Sequence, residues 1–196
     1  MTKEGNFEKR PTKHSEPGLI ERLIGRVFNE STDEQLDDIA KKFKIDISTK
    51  DSSGILQNLI LALNMWMTTF TLERVIKDRK AVRTWTGNLQ ENFLFVTSCG
   101  NEEDAKTYKK SAPYRQARRW LRAYYEQFNM AYDFDYSNNK VGLVVAIAEV
   151  VCEVLYGELI EDDKIQFEIV DYITKTLNGL DEILNQYDLR ELGVKK

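Results

Sequence analysis

The run Val141–Tyr156, VGLVVAIAEVVCEVLY, is apolar on nearly every side of a helix and is interrupted only by Glu149 and Glu153. A helix without a polar face has to be enclosed by other elements, so the run predicts a central core helix. The segments on its N-terminal side carry stripes of helical period that can enclose it. Leu19, Ile20, Leu23, Ile24, Val27 and Phe28 form one, after a start at Pro17, and Leu36, Ile39, Ala40 and Phe43 form a second. Three prolines and ten glycines in 196 residues, with long runs lacking turn signals, point away from a many-stranded sheet. The expected fold is all-α, a bundle of six to eight helices.

Local signals set the expected boundaries. Ser31 with Glu34 reads as a capping box for the second helix. Ile45–Ser53 reads as a loop, with Asp51 or Ser52 capping the next helix. That helix is expected to run from Ile55 through Trp66, Phe70 and Val75 to about Thr86, with Gly87 as its stop. Asn88 with Glu91 then suits a short helix through Phe93 and Phe95, although Phe93–Cys99 reads equally as a strand. Asn101 followed by three acids marks another helix start, and Ser111–Pro113 interrupts it. Tyr132–Lys140 reads as a polar link, and Glu161–Asp163 as a cap. Beyond the cap, Val170, Ile173, Leu177, Leu180, Leu184 and Tyr187 form an apolar seam at intervals of 3 and 4. Such a seam serves packing within the bundle or self-assembly between copies. Gly179 is a point where this last helix could split.

Charge is unevenly divided. Before Glu126 there are 22 basic and 17 acidic residues, and from Glu126 onward 6 and 15. Residues 1–16 lack apolar periodicity and read as a flexible basic arm carrying Lys9, Arg10 and Lys13. Residues 17–196 read as one helical domain, basic across 17–131 and acidic across 140–196. In the stretch KTYKKSAPYRQARRWLRAYYEQFNMAY, residues 106–132, no acid occurs between Asp104 and Glu126. At about 100° per residue, Arg115, Arg118, Arg119 and Arg122 share one arc of a helix. Ala117, Trp120, Leu121, Tyr124, Phe128 and Ala131 occupy the opposite arc, and Tyr114, Tyr125 and Tyr132 line a border. Lys109 and Lys110 stand just ahead. A second cluster, Arg74, Lys77, Arg79, Lys80 and Arg83, is opposed only by Glu73 and Asp78. Guanidinium groups are permanently charged and their planar fork matches phosphate oxygens, so these faces suit a phosphate backbone.

Catalytic and metal chemistry have little to work with. His14 is the sole histidine and lies in the arm. Cys99 and Cys152 form neither a disulfide framework nor a zinc cluster, and no phosphate-cradling glycine loop occurs. Asp133, Asp135 and Ser137 follow the opening of a calcium loop. Asn138 stands where glycine is needed and Val144 where the closing glutamate belongs, so the set is incomplete. No enzyme activity, cofactor or metal is expected. From the polar N-terminus no secretory signal is expected, and the cysteine usage suits an intracellular compartment. Ile55–Phe70 is apolar but too short for a bilayer, so no membrane span is expected.

The stretch Leu36–Leu63 resembles the helix–extended–helix of SAP and Rho N-terminal modules, which bind nucleic acid. It departs from them at Ser52, Ser53 and Gly54, where those modules carry a basic residue, and apolar packing accounts for the same spacing. A helix-turn-helix reading fails because Ile55–Trp66 offers no charge to a major groove.

The functional expectation is a non-enzymatic nucleic-acid-binding protein with mostly backbone contacts, double-stranded DNA being the expected partner. Acidic tail, arm and seam fit a packaging role, by analogy with the DNA-wrapping helical coat proteins of filamentous archaeal viruses. A protein–protein adaptor or assembly subunit with an acidic partner, and a sequence-specific transcription regulator, are the alternatives.

Overall fold

The computed structural model describes residues 19, 22, 23, 25–27, 32–98, 107–135, 140–157 and 162–186. Among them the chain is an all-α bundle without a strand. Six helices are described end to end: α1 (Asp33–Phe43), α2 (Lys50–Val75), α3 (Arg79–Ser98), α4 (Ala112–Asp135), α5 (Lys140–Tyr156) and α6 (Asp163–Asn185). The described residues between 19 and 27 are also helical, with Leu19, Leu23 and Val27 buried. The basic arm and the helix start at Asn101 lie outside the described residues.

The hub is α2, which packs against all five other helices, while α5 is held mainly between α4 and α6. Residues 59–68 of α2 are buried without a break, so its central turns show no face to solvent. At about 1.5–3 kcal/mol for each fully buried large apolar side chain, this one helix supplies a large share of the hydrophobic stabilisation. The predicted core helix α5 is buried on most sides too, leaving Glu149, Glu153 and Val145 exposed. By length and composition α2 could cross a membrane, which the apolar run alone is too short to do; its most apolar window is 72% buried inside the bundle.

The first boundaries differ from the sequence expectation by a few residues. Helix α1 starts after Thr32, whose side chain makes no capping bond, in place of a capping box at Ser31. Asp33 and Glu34 in its first turn and Lys41 and Lys42 in its last suit the helix dipole. The helix closes on Lys44 in a left-handed conformation (φ 53°), and the Ile45 N–H reaches the Ala40 carbonyl at 2.8 Å. Lys44 Nζ then bonds Asp162 at 2.8 Å, tying the end of α1 to the start of α6. Helix α2 is capped by Thr49, not by Asp51 or Ser52: Thr49 Oγ1 accepts the Ser52 N–H at 3.2 Å.

The larger correction is that the helix expected to reach Thr86 breaks at Ile76. Asp78 causes the restart, its carboxylate accepting the Lys80 and Ala81 N–H groups at 2.9 and 3.1 Å. A carboxylate that satisfies the free N–H groups of a first turn makes a new helix cheaper than a continued one. Gly87, expected as a stop, is interior to α3. Burial of Val82, Trp85, Leu89, Phe93 and Leu94 outweighs the roughly 1 kcal/mol that a helical glycine costs. The strand alternative at Phe93 is likewise overturned, since α3 continues to Ser98. Helix α4 extends through Asp135, four residues into the expected polar link.

The C-terminal seam is used inside the chain. Ile173, Leu177, Leu180 and Leu184 are buried, and Gly179 passes through α6 without splitting it. Asp162 caps α6 as expected, accepting the Lys164 and Ile165 N–H groups.

Candidate nucleic-acid interface

Helix α4 is two-faced because its apolar residues recur with helical period. Tyr114, Ala117, Leu121 and Phe128 are buried, whereas Arg115, Arg118, Arg119 and Arg122 are all exposed. The N-terminal end is set by Ser111, whose hydroxyl accepts the Tyr114 N–H at 3.1 Å. That cap follows a 3-10 turn at Tyr108–Lys110.

The four arginines are not equivalent. Arg122 Nε bonds Glu126 at 2.8 Å, one turn on, with the two side chains 80% and 59% exposed. A pair so open to water is worth no more than about 1 kcal/mol and yields readily to a phosphate. Arg115 Nη1 donates to the Lys110 carbonyl at 2.7 Å, which steadies it without cancelling its charge. Arg118 and Arg119 have no carboxylate partner among the described residues.

Lys109 is committed elsewhere. Its ammonium lies 2.9 Å from Glu91 and 5.7 Å from the Tyr108 ring centroid. The Tyr108 and Tyr114 hydroxyls donate to the same carboxylate at 3.0 and 3.4 Å. The hydrogen bond from Lys109 is the main cause that holds the Glu91 carboxyl below its usual range, and the same contact raises the Lys109 ammonium. Lys110 remains exposed beside this cluster.

Helices α3 and α4 run antiparallel. Glu91 meets Tyr114, Phe93 meets Trp120 with ring centroids 5.3 Å apart, and Arg79 and Arg83 share a groove with Tyr125, Asn129 and Tyr132. The 79–83 cluster and the Lys109–Lys110 pair therefore sit at opposite ends of the helix pair, roughly 18 Å apart at 1.5 Å per residue of α3. Arg118 and Arg122 lie between them. Along α4 the positions 115, 118, 122, 125, 129 and 132 follow at spacings of 3 and 4, so one stripe starts as arginines and ends as the wall of the groove. Lys80 and Arg83 are exposed on α3, and neither Arg79 nor Arg83 has a carboxylate partner among the described residues. Lys9, Arg10 and Lys13 lie outside the described residues.

The groove itself was not legible in the sequence. It encloses about 500 Å³ between the end of α2, the start of α3 and the C-terminal half of α4. Trp66 and Phe70 stack at its base (centroids 5.3 Å, planes 11° apart), and Arg74 rests over the outer Phe70 ring at 5.3 Å. Tyr125 is half-buried, with its hydroxyl end fully enclosed. Burial pushes that phenol up to about 12, Gln90 and Thr69 being the polar groups that moderate the shift. Neither forms a hydrogen bond of good geometry with it, and the Thr69 hydroxyl is committed to the Met65 carbonyl at 3.0 Å. Arg74 stood in the basic cluster on sequence, but nothing there linked it to Trp66 or Asn129.

Among the described residues no group of three or more His, Cys, Asp or Glu side chains could hold a metal ion. Cys152 is buried in α5, which raises its thiol pKa. The class these features define is an all-helical bundle with an exposed arginine ridge leading to an arginine-rimmed groove. Comparison with protein-family models, with curated proteins and with solved structures finds no match to this chain.

Proposed function

We propose that the protein binds nucleic acid without catalysis, through phosphate contacts from the α4 ridge, and that its role is structural, as a packaging or coat subunit on double-stranded DNA. The observation that carries this reading is the exposed row Arg115, Arg118, Arg119 and Arg122, whose only carboxylate partner among the described residues is the solvent-exposed Glu126. Arg79, Lys80 and Arg83 extend the positive potential at one end and Lys110 at the other. Contacts of this kind position a protein on the backbone and carry little sequence information, so weak sequence preference and steep salt dependence go with them.

The test is binding of the full chain to duplex DNA, single-stranded DNA and RNA across a salt series, with Arg115, Arg118, Arg119 and Arg122 all changed to Ala in parallel. The expected result is preferred duplex binding whose log–log salt slope is shallower in the variant by up to about 3–4, near 0.9 for each phosphate that the variant no longer neutralises. Light scattering that shows many copies per duplex supports coating. A large preference for one duplex sequence over random DNA would replace packaging with specific regulation. Failure of the unmodified protein to bind any of the three would overturn the reading and turn attention to acidic protein partners.

A further inference from the structure

The groove at the end of the ridge has features that backbone neutralisation does not need. Its volume of about 500 Å³ falls within the roughly 300–1,000 Å³ of small-molecule sites and is far more than an inorganic anion fills. Arg74 closes it from α2, and Arg79 and Arg83 stand one turn apart on α3. One carboxylate, Glu73, shares the rim, which leaves an excess of positive charge.

The remaining polar groups favour the same kind of ligand. Trp66 can only donate, so the Asn129 oxygen faces it at 2.8 Å and the amide nitrogen is left as a donor. Guanidinium forks and an amide N–H suit phosphoryl oxygens. Phe70 is already covered by Trp66 and Arg74, so Tyr132, which meets it edge to face at 5.4 Å, offers the aromatic wall for a flat ring.

We infer that this groove is a nucleotide-binding site: it takes a nucleoside monophosphate unit, free or at the 5′ end of a strand, with the phosphate on Arg74, Arg79 and Arg83 and the ring against Tyr132. The site does not rest on the nucleic-acid reading of the α4 ridge and can fail or stand without it.

Titration calorimetry of the full chain at low salt tests it, with AMP, adenosine and ribose 5-phosphate as probes. The expected order is AMP first, with adenosine and ribose 5-phosphate each at least tenfold weaker. Changing Arg79 and Arg83 together to Ala is expected to weaken AMP at least tenfold, while changing Arg118 and Arg119 to Ala leaves it within twofold. Adenosine binding as tightly as AMP, or an AMP affinity indifferent to Arg79 and Arg83, overturns the proposal. Ribose 5-phosphate matching AMP overturns the ring contact and with it the nucleotide assignment. Should the double variant lose its helical circular dichroism, Arg83→Gln alone supplies the same comparison. A 5′-phosphorylated oligothymidine that outbinds both AMP and its unphosphorylated counterpart assigns the site to a strand end, and one that gains nothing from its phosphate assigns it to the free nucleotide. Duplex binding by the ridge with no response to AMP sinks this site and leaves the ridge reading intact.

Discussion

The Trp66 indole N–H donates to Asn129 Oδ1 at 2.8 Å, bridging α2 and α4 at the base of the groove. A donor-only partner settles the Asn129 amide with its oxygen inward, and so decides what the groove can recognise. Asn129→Asp keeps an acceptor for Trp66 but replaces the amide donor with a negative charge. Stability is expected to stay within about 1 kcal/mol, because residue 129 is exposed. AMP affinity at neutral pH is expected to fall at least tenfold by calorimetry. An unchanged affinity would show that Asn129 does not face the ligand.

Tyr125→Phe removes a buried hydroxyl that has no hydrogen-bond partner and keeps the ring. Loss of an unsatisfied buried polar group is neutral or stabilising, so urea unfolding should give a gain of up to about 1 kcal/mol. A loss beyond 1 kcal/mol would mean that Thr69 or Gln90 makes a real bond to the phenol.

Glu91 gathers Lys109, Tyr108 and Tyr114 on one carboxylate. Its folded-state pKa is depressed, so the cluster's contribution is complete above the ordinary carboxyl value of 4.5 and is lost as pH falls through the lower folded value. Glu91→Gln should therefore cost stability at pH 7, by no more than about 1 kcal/mol because the pair is partly solvated. The difference from the unmodified protein should shrink below pH 4. Parallel chemical-denaturation curves at pH 7 and pH 3.5 test this, and a gap that widens in acid contradicts it.

Asp78 supplies the side-chain oxygen that starts α3. Asp78→Ala is expected to cost about 1 kcal/mol, the usual loss for an N-cap, and Asp78→Asn less. Equal losses for both would point away from capping and toward the charge.

Gly179 and Arg26 are coupled by space. A Cβ at position 179 would come within 2.7 Å of Arg26 Nη2 and 2.9 Å of its Cζ. Helix propensity alone favours Gly179→Ala by about 1 kcal/mol. With Arg26 present the substitution should be neutral or destabilising, because the guanidinium must move from its place. With Arg26→Ala the same substitution should stabilise by about 0.5–1 kcal/mol. Additive effects in this double-mutant cycle would show that Arg26 moves aside without cost.

Helical period was legible wherever it was strong. Leu36, Ile39, Ala40 and Phe43, the apolar run of α5 and the buried arc of α4 all lie where their spacing puts them. Boundaries were less legible because caps compete locally: Thr49 took the role expected of Asp51 or Ser52, and Asp78 broke a helix whose apolar pattern continues on both sides of it. The ridge arginines could be read in advance, since one helix carries them all. The engagement of Lys109 could not, because Glu91 lies 18 positions away on another helix.

The sequence by itself determined an all-helical chain, the identity of its buried faces and the presence of an arginine face on α4. Each follows from side-chain chemistry repeated at the period of a helix, which needs no knowledge of neighbours. Only the tertiary structure decided that α2 is the hub, that Gly179 makes room for Arg26, and that Trp66, Arg79 and Asn129 line one groove. Those relations depend on which helices cross and in which direction. The packing of many buried side chains at once sets that choice, and no local stretch of sequence records it.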